Sequence, residues 1–586
     1  MMPARTNDIT WKIGGEAGFG IMSTGEMFAR ICMRAGLNVF SYPEYPSLIR
    51  GGHNTDQVTA SAEPLTSHRT SVSILVALNR ETIDLHLSEM SPNGVIIYDT
   101  TDTTFAKFDP SKVSRRDVLL FGLPLEDLAK KSGGEVLMRN TVALGASCAL
   151  LDIPLDNLNE VIDETFGKKG DEVIKLNADV LASGYKAATS AQRKSCPWQV
   201  TPAKTKDTRV LLTGNDALAL GAIQAGCQFF SAYPMTPATS ILHFLAQHGP
   251  GFGMVVRHSE DEIAAVNNAI GAAYAGVRAM TATSGGGFSL MTEAVGLAAM
   301  TEVGIVIIDA QRPGPSTGMP TWTEQGDLRQ VLHASQGDFP RIVLAPTSHA
   351  ECFTLIQHAF NLADVYQTPV IVLTDKYLAE GRCSVAVKDL KTLPIKRGKV
   401  WKGEGTYLRY RERVTDGICP RAIPGTPKGL FLANSDEHDE YGFSNEDKDH
   451  RIAQMERRAR KVATLRKKTM PPRIIGAKKA SLTVVTWGSS AGPVEMALAT
   501  LKKNYGKTAN AVVVPMVAPL PVKVFMAAMK KAKKTVIVES NRSGKFAGFI
   551  REYTGFTPDH SIRRYDGRPF DPDELAKELA LIARKK

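Results

Sequence analysis

The stretch Ile9-Thr10-Trp11-Lys12-Ile13, followed by Gly14-Gly15-Glu16-Ala17-Gly18-Phe19-Gly20 and a helix-like run to Ala35, decides the fold class. A short apolar strand opens through glycines onto a helix, which is the junction of a wound α/β sheet. The pattern then recurs. Ser73–Val76 and Gly94–Tyr98 read as strands, and Arg139–Leu151 as a helix. A second set starts at Val210–Thr213, runs through Gly214-Asn215 into a helix over Asp216–Ala225, and continues with Met254–Val256, Ala279–Thr283, Gly304–Asp309 and Pro369–Thr374. Leu482–Thr486, Ala511–Val514 and Thr535–Glu539 make a third. Strands alternating with helices predict α/β architecture with three wound parallel-sheet domains. The boundaries expected are 1–188, a polar linker 189–208, 209–385, an irregular Gly-, Pro- and charge-rich stretch 386–480, and 481–586.

The length of 586 residues agrees, since it allows roughly two to four domains. At 43% hydrophobic and 22% charged residues the chain is neither disordered nor fibrous. Its net charge of +11 is mild, suiting an acidic protein partner or phosphate-bearing ligands and giving little ground for nucleic acid. Met1–Lys12 has no apolar run and no stretch reaches the ~18 apolar residues of a membrane span, so a soluble cytoplasmic protein without membrane contact is expected. The seven cysteines (Cys32, Cys148, Cys196, Cys227, Cys352, Cys383 and Cys419) are scattered, without CxxC spacing, and no HExxH pair occurs. Reduced, mostly buried thiols and no metal site on this chain are the expectation.

Several segments have the residue types that chemistry needs. Gly18-Phe19-Gly20-Ile21-Met22-Ser23 is a GxGxxS variant of the dinucleotide fingerprint, whose glycines let backbone amides approach a phosphate; it reads equally as a tight turn. The Gly-flanked basic loop Ser41–Asn54, with Arg50-Gly51-Gly52-His53, is open in the same way. Ser231–Ser240 includes Tyr233-Pro234-Met235-Thr236-Pro237 at a strand end, where Thr236 is either presented to a ligand or caps the next helix, as Thr239 also could. Ser259-Glu260-Asp261-Glu262 reads as a capping box, or else Glu262 is a buried carboxyl kept protonated beside a cofactor nitrogen. Thr283-Ser284-Gly285-Gly286-Gly287 is another strand–glycine–helix junction. Arg312, before Pro313-Gly314-Pro315-Ser316-Thr317-Gly318, is a carboxylate clamp or a structural ion pair. The basic run Arg457 to Lys468 predicts a helix that is either a solvated face or a dock for an acidic partner.

Taken in order, Gly214-Asn215, Tyr233–Pro237, Glu260-Asp261-Glu262-Ile263-Ala264-Ala265, Ser284–Met291, Gly314–Gly318, Arg421–Gly425 and Asp436–Gly442 resemble the α subunit of 2-oxoacid:ferredoxin oxidoreductases, especially the 2-oxoglutarate type. The N-terminal unit resembles the γ domain fused to that subunit; 209–385 would then be its thiamin-pyrimidine-type domain and 481–586 its transketolase C-terminal-like domain. The resemblance implies oxidative decarboxylation of a 2-oxoacid with coenzyme A, using thiamin diphosphate and passing electrons to ferredoxin. It implies that Glu262 hydrogen-bonds the aminopyrimidine ring, and that Ser284, Gly285 and Gly286 border the cofactor. Thr236 and Arg312, with Tyr233 and Pro234, would hold the substrate carboxylate, and Gly18, Gly20 and Arg50 would contact coenzyme A. The chain has no GDG segment and no cluster cysteines, so Mg2+ and a [4Fe-4S] cluster are expected on a separate β subunit, in an (αβ)2 assembly. The departures are Met235 in place of isoleucine, Gly286 where proline is common, and Trp322 where a basic residue is often found. The last opens a branched or aromatic 2-oxoacid as an alternative substrate. A non-catalytic nucleotide-binding or assembly protein of the same fold is the competing class.

Overall fold

A computed structural model describes residues 5–48, 51–205 and 207–584, which divide into two compact units. The first comprises the residues up to Leu212 together with Gly381–Lys388. Its eight-stranded sheet has the order Leu119–Leu123, Met90–Asp99, Val72–Ala77, Asp8–Glu16, His53–Ser61, Asn38–Glu44, Arg382–Ala386, Arg209–Thr213. The first four strands are parallel, as the alternation with helices predicts, but His53–Ser61, Asn38–Glu44 and Arg382–Ala386 run antiparallel to their neighbours. The sheet is therefore mixed rather than parallel throughout. The segment read as a basic loop is strand at its two ends, 41–44 and 53–54, and the strands there are held by buried pairing: Ser41 Oγ donates to Asp56 at 2.7 Å, and Arg382 makes an ion pair with the same carboxylate. Val210–Thr213, read as the head of the second sheet, is the edge strand of this one.

The second unit, Thr213–Glu380 with Asp389–Lys586, holds two sheets. The seven-stranded sheet has the order Val255–His258, Cys227–Ala232, Arg278–Thr283, Val306–Gln311, Val370–Asp375, Ile342–Leu344, Met516–Ala518, parallel except for the last strand. The five-stranded sheet is parallel across Ala509–Val513, Leu482–Thr486, Thr535–Glu539 and His560–Arg563, with Arg473–Gly476 antiparallel at the edge. One apolar core joins them: Ile307 and Ile371 of the larger sheet pack in the same cluster as Val485, Val512 and Ile537 of the smaller, filled by Trp487, Phe525 and Phe546. Burial of that shared interior is what makes the two sheets one unit.

The helix Lys448–Arg466 divides the basic run between the interior and the surface. Arg457, Arg458 and Lys461 are buried, Arg457 completely. Glu302, also buried, makes an ion pair with Arg457 at 2.5 Å and accepts a hydrogen bond from Lys461 at 2.8 Å, with Arg409 at 3.8 Å. Arg457 and Lys461 serve an internal ion cluster rather than a solvated or docking face, Arg458 pairs with Glu437 at 2.6 Å, and Arg466, Lys467 and Lys468 are exposed, as a solvated face requires. All seven cysteines are free, and five of them are buried. Among the described residues no helix is long and apolar enough to cross a membrane.

Candidate active site

Three neighbouring strands of the seven-stranded sheet, Cys227–Ala232, Arg278–Thr283 and Val306–Gln311, run directly into Tyr233–Thr236, Ser284–Gly287 and Arg312. Segments far apart in sequence thus meet at the carboxyl edge, where wound sheets bind ligands. The strands form there because β-branched and small apolar residues fill them, every residue of Arg278–Thr283 and Val306–Gln311 being buried.

Arg312 and Thr236 are in contact: Arg312 Nη1 donates to the Thr236 carbonyl at 2.7 Å. Its Nε is buried without a partner, and burial works against its charge while Asp327 supports it. The helix Thr239–His248 has Ala238 at its cap position with no side-chain cap, so neither Thr236 nor Thr239 plays the capping role. Asn215 braces the turn, its Nδ2 donating to the Pro237 carbonyl and to Ser240 Oγ, both at 2.8 Å. Tyr233 is 39% exposed, with its ring 6.3 Å from that of His258, and Pro234 is half-buried.

Glu262 is the first residue of the helix Glu262–Tyr274. The expected capping box is not formed. Asp261 is the cap, accepting the Ala264 N–H at 2.7 Å, and Ser259 instead bonds Ser231 Oγ at 2.7 Å. Relieved of capping, the Glu262 side chain is 3% exposed, and its Oε1 is buried with no hydrogen-bond partner. Burial, helped by the nearby Asp261 charge, raises its pKa. Gly287 closes over it: a Cβ there would stand 2.5 Å from Glu262 Oε1 and would also strike Thr283 Oγ1. Met235 Sδ accepts the Gly287 N–H at 3.3 Å, which ties the Tyr233–Pro237 turn to the start of the helix Gly285–Met300. Ser284, at the cap of that helix, makes no capping bond and leaves a buried hydroxyl unpartnered. Gly286 faces open space but for Met235 Sδ at 3.9 Å.

Two further acids belong to this region's electrostatics, and one cation stacks on the loop that follows Arg312; all three were missed from sequence. Asp309 is fully buried with both oxygens unpartnered, and Asp327 lies against Gly285, with one oxygen unpartnered. The signal for Asp309 was a lone acid inside the otherwise uncharged Val306–Gln311. The third is Arg568, whose guanidinium stacks 3.3 Å above the Trp322 ring. Nothing local in sequence joins those two.

In the first unit, Gly20 adopts φ +70° at the start of the helix Ile21–Arg34, and a side chain there would collide with Asn140. Gly18, at φ +96°, borders open space. The helix has no side-chain cap and no acid in its first turn. Arg50 lies outside the described residues.

A buried carboxyl with an orphaned oxygen is costly unless a ligand or a proton satisfies it. Two family profiles match this chain: one described as pyruvate flavodoxin/ferredoxin oxidoreductase, thiamine diphosphate-binding, over residues 220–458, and one as pyruvate ferredoxin/flavodoxin oxidoreductase over residues 10–187. A 2-oxoacid:ferredoxin oxidoreductase α subunit of Sulfolobus sp. is 33% identical, the alignment covering 98% of this chain and 97% of that one. The chain belongs to the 2-oxoacid:ferredoxin oxidoreductase α-subunit family. A 2-oxoglutarate oxidoreductase subunit KorA of Mycobacterium tuberculosis is 30% identical over 86% of this chain and 82% of its own length. The solved 2-oxoglutarate:ferredoxin oxidoreductase of Magnetococcus marinus, which holds 2-oxoglutarate, coenzyme A and succinyl-CoA, superposes with a TM-score of 0.92 at 34% identity, covering 99% of this chain and 100% of that one.

Proposed function

We propose that this family member catalyses coenzyme A-dependent oxidative decarboxylation of a 2-oxoacid, with 2-oxoglutarate as the favoured substrate. The products are acyl-CoA, carbon dioxide and two electrons for ferredoxin. The single observation that carries the reading is Glu262: a buried carboxyl with an unpartnered oxygen, roofed by a glycine that no side chain could replace. Its raised pKa suits a proton held for a ring nitrogen, and so it fits the aminopyrimidine of thiamin diphosphate. When bound, that cofactor supplies the electron sink for decarboxylation. The chain's own residues orient and hold charge. Glu262 keeps a proton at Oε1, Ser284, Gly285 and Gly286 border the ring, and Arg312 with Thr236, beside Tyr233 and Pro234, binds the substrate carboxylate. Coenzyme A is assigned to the Gly18–Gly20 turn with Arg50, since its phosphates need backbone amides and a cation.

Because the chain has no GDG segment and no cluster-spaced cysteines, a β subunit supplies the Mg2+–diphosphate site and the [4Fe-4S] cluster, in an (αβ)2 assembly in the cytoplasm. The functional regions proposed are those read from the sequence, with 209–212 and Gly381–Lys388 assigned to the first unit. Trp322 removes a base from one position, but Arg568 stacked on it returns a cation there, which supports 2-oxoglutarate over a branched or aromatic acid. The test is an anaerobic pull-down of the tagged chain from its host, with iron and thiamin diphosphate assayed. A stoichiometric smaller chain bearing GDG and cluster cysteines, with both cofactors, is the expected result. Recovery of this chain alone, without either, sinks the half-site reading in favour of a binding or assembly role.

A further inference from the structure

The carboxyls of Asp309 and Asp327 have no place in the roles assigned so far, yet the fold brings them together. Asp309 and Gln311 are two apart on one strand and so share a face. Gln311 Oε1 accepts the Asp327 N–H at 2.9 Å. Across the sheet Asp309 is in register with Thr283, and the next residues, Ser284 and Gly285, start the helix Gly285–Met300. Gly285 lies so close to Asp327 that a Cβ would stand 2.5 Å from its Oδ2. Asp309 offers two buried oxygens and Asp327 one, none hydrogen-bonded among the described residues.

The charged groups facing the pair are few. Asp327 meets Arg312 and Lys545, whose ammonium also donates to the Gly326 carbonyl, while Glu324 stands near Asp327 and Lys545. Among the described residues, the charge that acts on Asp309 is that of Asp327. Burial pushes Asp327 up to about 6 despite the two cations, and burial plus the Asp327 charge holds Asp309 well above the usual carboxylate range. Two adjoining carboxyls in such a place do not both ionise near neutrality.

We infer that Asp309 and Asp327 act as one carboxyl pair that shares a single proton around neutral pH and thereby positions Arg312, leaving its charge available to the substrate carboxylate. The inference rests on the assignment of Arg312 above. As a monoanion the pair places one negative charge against two cations, Arg312 and Lys545. As a dianion it would neutralise both, and an incoming carboxylate would meet a spent guanidinium. Asp309, which retains the proton, is thus a positioning residue.

Two readouts test this. The first is the infrared C=O band of a protonated carboxylic acid in the full chain at neutral pH, wild type minus Asp309→Asn. The second is KM and kcat for 2-oxoglutarate in the reconstituted enzyme from about pH 6 to about pH 10, in both proteins. The pair predicts a band that D309N removes. It also predicts a wild-type KM that climbs in alkali toward about tenfold per pH unit, with kcat changing less and the D309N limb flat. An alkaline KM limb that persists in D309N overturns the positioning role, and a wild type without the band overturns the proton sharing. If D309N fails to fold, the band is titrated in the Glu262→Gln chain, which lacks the other proton-holding carboxyl of the site, and it must persist at neutral pH and vanish in alkali. A band with no turnover of any 2-oxoacid would overturn the Arg312 assignment instead.

Discussion

At Glu262 two demands oppose each other, and the fold sides with chemistry. The carboxyl is buried, unpaired and relieved of capping by Asp261, so its pKa lies above the ordinary value. Between the ordinary and the raised value the unfolded chain has lost its proton and the folded chain has not. Stability therefore falls as pH rises across that window. Glu262→Gln should raise the Tm of the chain alone at neutral pH, with the gain disappearing in acid, where both states are protonated. Calorimetry across pH checks this; an unchanged or lowered Tm at neutral pH would mean that the carboxyl is structurally satisfied. Residue type and spacing made Glu262, Thr236 and Arg312 legible as candidates. Their environment was not legible, because the unpartnered oxygen and the Gly287 roof exist only once three strand ends converge.

Among the elements, the helix Lys448–Arg466 shows how far charge patterning misleads. Two of its cations, Arg457 and Lys461, face inward to Glu302, a residue 159 positions from Lys461, and no local signal announces that partner. Although burial pulls Glu302 up, Arg457, Lys461 and Arg409 hold its carboxyl far below its ordinary value of 4.5. Its stabilisation is thus present above about pH 4.5 and lost as pH falls below that. Lys461 behaves in the opposite sense: burial lowers it to about 8 from 10.5, so stability rises with pH between those values. Glu302→Gln leaves three buried cations uncompensated and should cost about 3–5 kcal/mol, read by urea denaturation at neutral pH; a loss under about 1 kcal/mol would show that the cluster is solvent-screened. The strand His53–Ser61 was hidden for a related reason. Its Asn54, Thr55, Asp56 and Gln57 break the apolar alternation that marks strands, and it is the buried pairing with Ser41 and Arg382 that makes the Asp56 charge tolerable inside.

For the molecule as a whole, three regions of regular alternation were enough to read the α/β class, because glycine junctions and β-branched runs are local signals. What stayed hidden was which sheet each edge strand joins, as with Val210–Thr213, since that is decided by long-range pairing. The loop that follows Arg312 also draws on distant sequence, since Arg568 stacks on its Trp322. Arg568→Gln should lower kcat/KM for 2-oxoglutarate at least about tenfold while leaving a branched apolar 2-oxoacid within about twofold; equal losses on both would make Arg568 a packing residue for Trp322. The account's central claim is that Glu262 brings the proton-holding half of an active site which a partner completes. It is tested most directly by reconstituting the αβ complex anaerobically with wild-type chain and with Glu262→Gln, then measuring 2-oxoglutarate-dependent ferredoxin reduction alongside bound thiamin diphosphate. The account predicts that the variant assembles and retains thiamin diphosphate but loses at least about a hundredfold in turnover. Turnover equal to wild type would contradict it.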